Sequence, residues 1–133
     1  MRLCYFGKDG GPESTVWGFW PIEIKSLFSI AILKFVGDSR EAFHSHAFNS
    51  ISWLLWGRLF EDMLDGKLNV YIGPSIKPII TKRSTLHKVS SYETSWVLTL
   101  RGPWSDTWKE YLPDLKKWIT LSSGRKIVQA SDN

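Results

Sequence analysis

Histidine is the side chain whose spacing in this sequence points most directly to chemistry, and the 133 residues include three histidines. His44 and His46 are separated by one residue, and His87 lies in the later segment TLHKVSS. In an extended strand side chains alternate between faces, so His44 and His46 would point the same way, whereas on a helix they would diverge by about 200°. Three neutral imidazoles that converge from neighbouring strands can hold Fe(II), Mn(II), Zn(II), Ni(II) or Cu(II) and leave positions open for water or substrate.

The elements around the histidines are predicted to be short strands separated by turns. Residues 22–36 are rich in β-branched and aromatic side chains without polar residues at helical intervals, which indicates one bent strand or two short ones. Residues 37–40 (GDSR) predict a hairpin turn, after which the stretch with the two neighbouring histidines forms the partner strand. Asp65-Gly66 is a strong hairpin signal, and the Gly-Pro pair at 102–103 ends a strand. Eight or more short strands favour a closed all-β barrel or a sandwich, in which the two neighbouring histidines share a face.

Length and composition predict one globular domain. The chain is 43% apolar and 23% charged, and its length is sufficient to bury a core, so we expect a single domain over residues 1–133. Residues 1–14 contain the glycine-rich turn chemistry GKDGGPES and are expected to be a loosely ordered lead-in. The one cysteine, Cys4, excludes an internal disulfide and fits a reducing compartment.

Charge and hydropathy narrow the expected partners and location. Seventeen basic and 13 acidic residues give a net charge of +4, which favours anionic partners only weakly, and no cluster of Lys and Arg is long enough to indicate a nucleic-acid arm. No run approaches the roughly 18 apolar residues needed to cross a bilayer, and the N-terminal residues lack an apolar segment of signal-peptide length. We therefore expect a cytoplasmic protein with neither membrane nor duplex nucleic acid among its partners.

The spacing around the first two histidines resembles the first motif of the cupin superfamily, in which a glycine, His-x-His, a glutamate and a closing glycine follow at set intervals. His44-Ser-His46 and the closing Gly57 fall in register with that motif. The glutamate position holds Ser50, and the opening glycine is displaced by one residue, to Gly37. The second cupin motif supplies one further histidine, for which the segment TLHKVSS offers a candidate.

The resemblance covers about residues 20–105 and extends to small cupin-like proteins encoded by tailed bacteriophages, in which HxHxF, SWLLWG and GPW stretches recur. It implies a single-domain cupin-type β-barrel, or jelly roll, of antiparallel strands. It also implies that the metal ligands are His44, His46 and His87. A homodimer formed through sheet edges is a further implication, and a phage-encoded protein would be located in the host cytoplasm.

The replacement of glutamate by Ser50 has a consequence for charge. A site with three histidines leaves a bound Fe, Mn, Zn or Ni ion with its full divalent charge, which favours a small anionic ligand. With iron, such a site resembles the all-histidine centres of thiol-dioxygenase cupins. Ser50 has the same strand parity as His46 and is expected to hold a metal-bound water. The alternative is that the three histidines are hydrogen-bonded barrel residues in a cupin that has lost its metal.

Arginines and tryptophans are the candidates for ligand binding. A guanidinium near the metal could fix a carboxylate or a phosphate through a bidentate pair, and Arg40 is the first candidate to orient a substrate in this way. By strand parity Trp56 faces with the histidines, whereas Trp53 faces away into outer packing or an interface. The residues predicted to bind ligand are Arg40, Ser50, Trp56, Arg83, Trp96 and Arg101.

Three functions stay open on the sequence. An enzyme of this kind would be a metal-dependent oxygenase or isomerase. The alternative is a non-catalytic, phage-encoded sponge for a nucleotide or similar signal molecule, which would use aromatic stacking and basic residues. The third is a structural role with tryptophan-rich outer faces buried between subunits. Glu61 and Asp62 are adjacent, so they are expected on opposite faces of a strand, which argues against a paired-carboxylate glycosidase.

Overall fold

The computed structural model describes residues 1–9, 14–38, 43–112, 116–122 and 126–132, and these residues form an all-β structure. The strands are β1 (Arg2–Lys8), β2 (Trp17–Ile24), β3 (Phe28–Asp38), β4 (Phe43–His44), β5 (Ser50–Met63), β6 (Leu68–Ile72), β7 (Ile79–Thr81), β8 (His87–Arg101), β9 (Thr107–Leu112), β10 (Lys117–Ser122) and β11 (Lys126–Asp132). The described residues contain no helix with the length and apolar character that a transmembrane segment requires. The prediction of an antiparallel all-β fold is confirmed.

Strand β8 lies at the centre of the sheet. On one side it pairs with β3 up to Arg101, and its first residue, His87, pairs with His44 of β4. On the other side it pairs with β5 along its whole length, from Ser50 opposite Arg101 to Met63 opposite His87. The path through the sheet is β1-β2-β3-β8-β4-β9-β10-β11, and β6 and β7 pair with β5. All these pairs are antiparallel, so β8 places its own inward side chains between those of its neighbours.

The predicted hairpin between residues 22–36 and the histidine stretch does not form. Strand β3 pairs with β2 and β8 instead, and β4 contains only two residues. A turn signal acts only on the residues beside it, whereas the partner of a strand is decided by which long apolar segment can cover it. The turn predicted at 37–40 lies partly outside the described residues. The hairpin predicted at Asp65-Gly66 is confirmed, because Gly66 N donates to Met63 O at 3.0 Å between β5 and β6.

The N-terminal residues are more regular than the sequence predicted. A loosely ordered lead-in was expected over residues 1–14, but β1 pairs with β2 over its whole length, and the ring centroids of Tyr5 and Trp20 are 5.6 Å apart. The aromatic side chains of β1 gain contacts on β2 that local turn chemistry does not reveal. The glycine-rich signal applies only to the residues after β1, of which 10–13 lie outside the described residues.

The interior of the fold is apolar in one part and polar in another. Val16, Trp20, Ala31, Leu33, Leu54, Leu59 and Val97 form the buried apolar cluster. Alternate residues of β8 are buried, and several of them are polar, including His87, Ser91 and Arg101. Because isolated polar groups are costly to bury, this half of the interior is where a functional site is expected.

Strand β5 changes its inward-facing parity at Gly57. The pairing of β5 with β8 shifts register between Leu54 and Trp56, and again between Trp56 and Arg58. Gly57 has a φ of +102°, and a Cβ atom at this position would lie 2.7 Å from the Cα of Ser95. Only glycine combines that backbone conformation with so close an approach, so the irregularity is specified locally.

The change of parity reverses which residues of β5 point inward. Ser50 and Leu54 face the interior before the irregularity, and Leu59 and Glu61 face it afterwards. The prediction that Trp56 faces with the histidines is therefore wrong, since this side chain is 64% exposed on the outer surface. The parity argument failed because it assumed an unbroken strand.

Replacement of Gly57 by alanine tests this irregularity. We expect Gly57→Ala to lower the free energy of unfolding by about 3 kcal/mol, because it adds backbone strain and a clash with Ser95. Gly66→Ala is the matched control, since Gly66 also has a positive φ but an added Cβ would meet nothing within 4 Å. The control should lose about 1 kcal/mol in chemical denaturation. Equal losses for the two variants would contradict the proposed packing at Gly57.

Candidate metal centre

The three histidines of the sequence come together in the barrel interior. The ring centroids of His44 lie 4.9 Å from His46 and 5.0 Å from His87, and those of His46 and His87 are 5.1 Å apart. One ligand nitrogen from each ring lies within 4.8 Å of the others, and the Nε2 atoms of His46 and His87 are 3.0 Å apart. His44 and His87 are buried, and His46 is half-buried. The predicted convergence of the three side chains is confirmed.

The nitrogen positions fit a divalent transition metal. Ligands about 2.1 Å from a tetrahedral ion are about 3.4 Å from one another. The separations here, from 3.0 Å to at most 4.8 Å, bracket this value, so small rotations of the rings would be enough to reach it. Imidazole nitrogen suits Zn, Fe, Ni and Cu, and three such donors leave room for water or substrate. The three imidazole nitrogens therefore fit a divalent transition metal, but they do not favour one of these metals over another.

Local backbone contacts hold the two neighbouring histidines in place. The Ser45 backbone NH donates to Lys109 O at 2.8 Å, and the Ser45 hydroxyl accepts from Lys109 N at 2.9 Å. The residue between the histidines is thus tied to β9. The regular strand ends at His44, and the chain bends at Ala47 and Phe48. The histidines converge even though the continuous strand that was predicted to carry them does not form.

Glu61 is a member of the site that the sequence analysis missed. Its Oε2 lies 2.5 Å from Nδ1 of His87, and its Oε1 accepts from Asn69 Nδ2 and from the Tyr71 hydroxyl, both at 3.0 Å. An ionised carboxylate only accepts hydrogen bonds, so Nδ1 of His87 carries the proton and Nε2 presents its lone pair to the cluster. This is the arrangement in which a carboxylate orients a metal-binding histidine. Strand parity could not identify Glu61 from the sequence, because the side chains of β5 that face inward change at the irregularity at Gly57.

The neighbours of Glu61 keep its carboxylate ionised. Burial raises the pKa of Glu61, but hydrogen bonds from His87, Asn69 and Tyr71, together with the charge of His87 when protonated, outweigh burial and hold the pKa below its usual range. Burial and the adjacent Glu61 carboxylate raise the pKa of Tyr71 to about 12. At neutral pH the phenol therefore stays protonated and donates to the carboxylate.

A second carboxylate lies in the same row of the sheet. Glu110 is the cross-strand neighbour of His44 on β9 and is buried. Side chains opposite each other in adjacent strands project to the same face, so Glu110 lies beside the cluster. The expectation that a three-histidine site leaves the full divalent charge uncompensated is thus revised, because the Glu61 carboxylate supplies negative charge behind His87.

The histidines open onto a cavity of about 510 Å³. Its walls include Phe48, Trp104 and Trp108 as well as the three histidines and Glu61. Arg101 also lines the cavity, is 5% exposed, and places its Cζ 4.5 Å from the centroid of the Phe48 ring. The Phe48 ring centroid lies 5.2 Å from that of His46. One phenyl ring thus contacts both the buried guanidinium and the histidine cluster.

The predicted ligand-binding residues divide between the cavity and the outer surface. Ser50 and Arg101 line the cavity, and they are cross-strand neighbours. Arg83 is exposed in the turn before β8, where its backbone NH donates to Asn49 Oδ1 at 2.7 Å. Trp96 is 41% exposed, because it alternates with the buried residues of β8. Arg83, Trp96 and Trp56 do not line the cavity, so a role for them in ligand binding stays a prediction without support from their positions. Arg40 lies outside the described residues.

Ser50 reaches the cavity by a different route from the one predicted. The sequence argument placed it on one strand with His46, whereas the chain bends between them and β5 begins at Ser50. Its position opposite Arg101 associates Ser50 with the guanidinium. Any contribution of Ser50 to metal-bound water stays a prediction.

Comparisons with known proteins identify the fold. No protein-family model and no curated protein matches the sequence. Among solved structures, the polyketide cyclase RemF of Streptomyces resistomycificus matches with a TM-score of 0.61 at 15% identity, over 74% of this chain and 73% of the other. A cupin-superfamily sugar phosphate isomerase from Silicibacter pomeroyi matches with a TM-score of 0.59 at 8% identity, over 86% and 76%. An RmlC-like cupin from Shewanella frigidimarina matches at 0.56 and 12% identity, over 75% and 84%.

These similarities define the fold of the protein. The sequence identities are low, so they establish the shared architecture alone. The chain has the cupin fold, with a three-histidine cluster in the barrel interior, as the spacing of its histidines predicted.

Replacement of Glu61 tests its role behind His87. We expect Glu61→Gln to weaken binding of a divalent metal by about 10- to 100-fold, because the charge and the fixed tautomer of His87 are lost. Asp62→Asn is the matched control, since the adjacent carboxylate is exposed on the outer face, and its metal affinity should equal that of the wild type. Competition with a chromophoric chelator measures the affinity, and ¹⁵N NMR of the His87 ring reports the tautomer. Wild-type affinity in Glu61→Gln would show that Glu61 does not orient a ligand.

Proposed function

We propose that this protein binds a divalent transition metal through His44, His46 and His87 and acts, as a metal-dependent enzyme, on a small anionic ligand in the adjoining cavity. The observation that carries the proposal is the convergence of three imidazoles on a cavity that also contains a buried guanidinium. Fe, Mn, Zn and Ni all suit the donor set. The buried Glu61 supports a ligand role for the cluster, because an outer carboxylate that fixes the tautomer is typical of metal-binding histidines.

Different residues of the cavity would bind the metal, orient the ligand and exclude water. Bound at the cluster, the ion would act as a Lewis acid on a substrate oxygen. Arg101 would take the orienting role that the sequence analysis gave to Arg40, because its planar guanidinium binds oxyanions through two hydrogen bonds. The rings of Phe48 and Trp104, whose centroids are 5.2 Å apart, form an apolar wall that limits water near the ion.

An isomerase is the enzyme class that we favour. One structural neighbour is named as a sugar phosphate isomerase, and another as a polyketide cyclase, so the cupin architecture supports reactions without an external oxidant. The hydrogen-bonded series Tyr71, Glu61 and His87 gives this chain polar groups that could hold or move a proton beside the cluster. An oxygenase is the second candidate, and it is distinguished by oxygen uptake that depends on the substrate.

The alternative of a non-catalytic nucleotide sponge is supported less well, because part of the aromatic stacking that it requires is missing from the cavity. It depended on aromatic stacking, and Trp56 and Trp96 lie on the outer surface, although Trp104 and Trp108 line the cavity. A sponge without metal would bind its nucleotide equally well after treatment with a chelator. Retention of a nucleotide by protein stripped of metal would therefore favour the alternative over the enzyme.

Metal binding is tested with protein purified without a histidine tag. We expect one equivalent of a divalent metal per chain by elemental analysis and calorimetry, and loss of tight binding in His46→Ala with little change in thermal stability. Affinity should fall as the pH is lowered, because protonated imidazole cannot ligate a metal. Absence of metal binding in the wild type, or equal binding by His46→Ala, would contradict the proposal. Unfolding of His46→Ala would instead assign this histidine a structural role.

The outer surface of the sheet supports a proposal about assembly. Ile80, Ile51, Leu100 and Ile30 form one cross-strand row, and Trp56 pairs with Trp96 in another. We define these six residues as the outer apolar face. Ile80 and Trp56 are 68% and 64% exposed, and the face presents roughly 600 Å² of apolar surface. Each partner in a stable interface contributes about 800 Å², and the area of the outer apolar face approaches this value. We therefore propose that a second copy of the chain covers the outer apolar face.

Substitution on the outer apolar face tests the dimer. We expect the wild type to sediment as a dimer and Ile80→Lys to be a monomer at micromolar concentration, because the lysine would bury an unpaired charge in the symmetric contact. Ile127→Lys is the control, since Ile127 is 63% exposed on β11, which is separated from β8 by β4, β9 and β10 in the sheet, and should leave the dimer intact. A monomeric wild type, or a dimer of Ile80→Lys as stable as the wild type, would refute this interface.

A further inference from the structure

An ion pair joins the N-terminal strand to the cavity. Arg101 Nη1 and Nη2 donate to the two carboxylate oxygens of Asp9 at 3.1 and 2.7 Å, although 92 residues separate them in the sequence. Asp9 follows β1, where its backbone NH donates to Val16 O at 2.8 Å, and both charged residues line the cavity. A carboxylate of the protein thus occupies the bidentate face of the buried guanidinium.

The two partners of this ion pair are held very unequally. Arg101 is 5% exposed, ends β8, and lies between its cross-strand neighbours Ser29 and Ser50. Its guanidinium also contacts the Phe48 ring. The side chain of Asp9 is 26% exposed and lies outside the strands. Withdrawal of Asp9 toward water is therefore easier than movement of Arg101.

Because the guanidinium of Arg101 is buried, withdrawal of Asp9 requires a replacement for its negative charge. A buried charge that loses its partner is strongly destabilising, so Asp9 is expected to leave only when another anion replaces it. The Phe48 ring that contacts Arg101 also contacts His46, which places the exchange beside the histidine cluster. A ligand bound at Arg101 would thus have its uncharged part directed along the cavity.

We propose that Asp9 is an exchangeable internal anion that occupies Arg101 until a phosphate group of the ligand replaces it. The exchange sets the class of ligand. A monocarboxylate would replace one carboxylate by another, with no gain in charge and with the loss of its own translational freedom. A dianionic phosphate brings more charge than Asp9 and overcomes this cost. This inference rests on the proposed function of the cavity, and it names a phosphate monoester as the ligand class.

The experiment measures anion binding to metal-free protein at constant ionic strength by calorimetry. Inorganic phosphate should bind the wild type weakly, and acetate should not bind detectably. In Asp9→Asn both anions should bind at least about tenfold more tightly, because the competing carboxylate has lost its charge. Arg101→Gln should lose phosphate binding whether or not Asp9 is also replaced.

A matched control separates the specific exchange from a change in net charge. Glu23→Gln also removes one negative charge and frees Arg2, which pairs with Glu23 at 2.6 Å and lines the same cavity, but whose side chain is 44% exposed. We expect phosphate affinity of this variant within about twofold of the wild type, because an exposed guanidinium is compensated by water. An equal gain in Glu23→Gln and Asp9→Asn would overturn the proposal, as would unchanged affinity in Asp9→Asn.

Two further measurements keep the test decisive if Asp9→Asn folds poorly. The melting temperature of Asp9→Asn should then rise steeply with phosphate concentration. In the wild type, the ¹³C resonance of the Asp9 carboxyl group should shift when phosphate binds. Absence of both effects would overturn the exchange. Metal affinity should be the same in Asp9→Asn and the wild type, so failure of the metal centre would be seen in the metal titration alone, and failure of the exchange in the phosphate titration alone.

Discussion

The arrangement of the site depends on the close approach of Gly57 to Ser95. Around this point the register shifts twice: from the pair Leu54–Val97 to the pair Arg58–Tyr92, β5 advances four residues while β8 advances five. The side chains of β5 that face the interior change from even to odd positions as a result. An unbroken strand would direct Trp56 into the cavity and Glu61 into solvent. Because of the irregularity, Glu61 reaches His87 and Trp56 lies on the outer surface. One backbone feature thus determines both the carboxylate behind the histidines and the tryptophan on the outer apolar face.

The polar half of the interior is organised as partnered charges. The imidazole of His87 is hydrogen-bonded to Glu61, and the guanidinium of Arg101 forms an ion pair with Asp9. Each charged group that lines the cavity would be costly to bury alone, so these pairings allow a polar cavity within a small barrel. The two pairs differ in mobility, since Glu61 is fixed by Asn69 and Tyr71, whereas Asp9 is partly exposed. The first suits a permanent metal site and the second suits an exchangeable ligand site.

Local sequence patterns predicted the fold class and the histidine cluster. Asp65-Gly66 and the Gly-Pro pair at 102–103 act on adjacent residues, and both mark strand ends as expected. The spacing of His44 and His46, together with the resemblance to cupins, predicted the cluster, and this prediction held although His46 lies outside a strand.

Interactions between distant residues could not be predicted in the same way. The pairing of β3 with β8 depends on long-range packing, and the pairing of Arg101 with Asp9 joins residues that are 92 positions apart in the sequence. The exposed positions of Trp56 and Trp96 follow from strand register, which one additional residue is enough to reverse. Side-chain parity is therefore informative only between irregularities, and Gly57 was interpreted as a motif residue without its effect on register.

The measurement that tests the central claim most directly is X-ray absorption spectroscopy of the protein loaded with one equivalent of a divalent metal. The account predicts three imidazole nitrogen ligands per ion at about 2.0 to 2.1 Å, with the remaining positions filled by oxygen donors. In His46→Ala, which is expected to lose tight binding, the imidazole scattering should drop by at least one ligand. A first shell made only of oxygen, or a spectrum that is unchanged in His46→Ala, would contradict a metal centre at His44, His46 and His87.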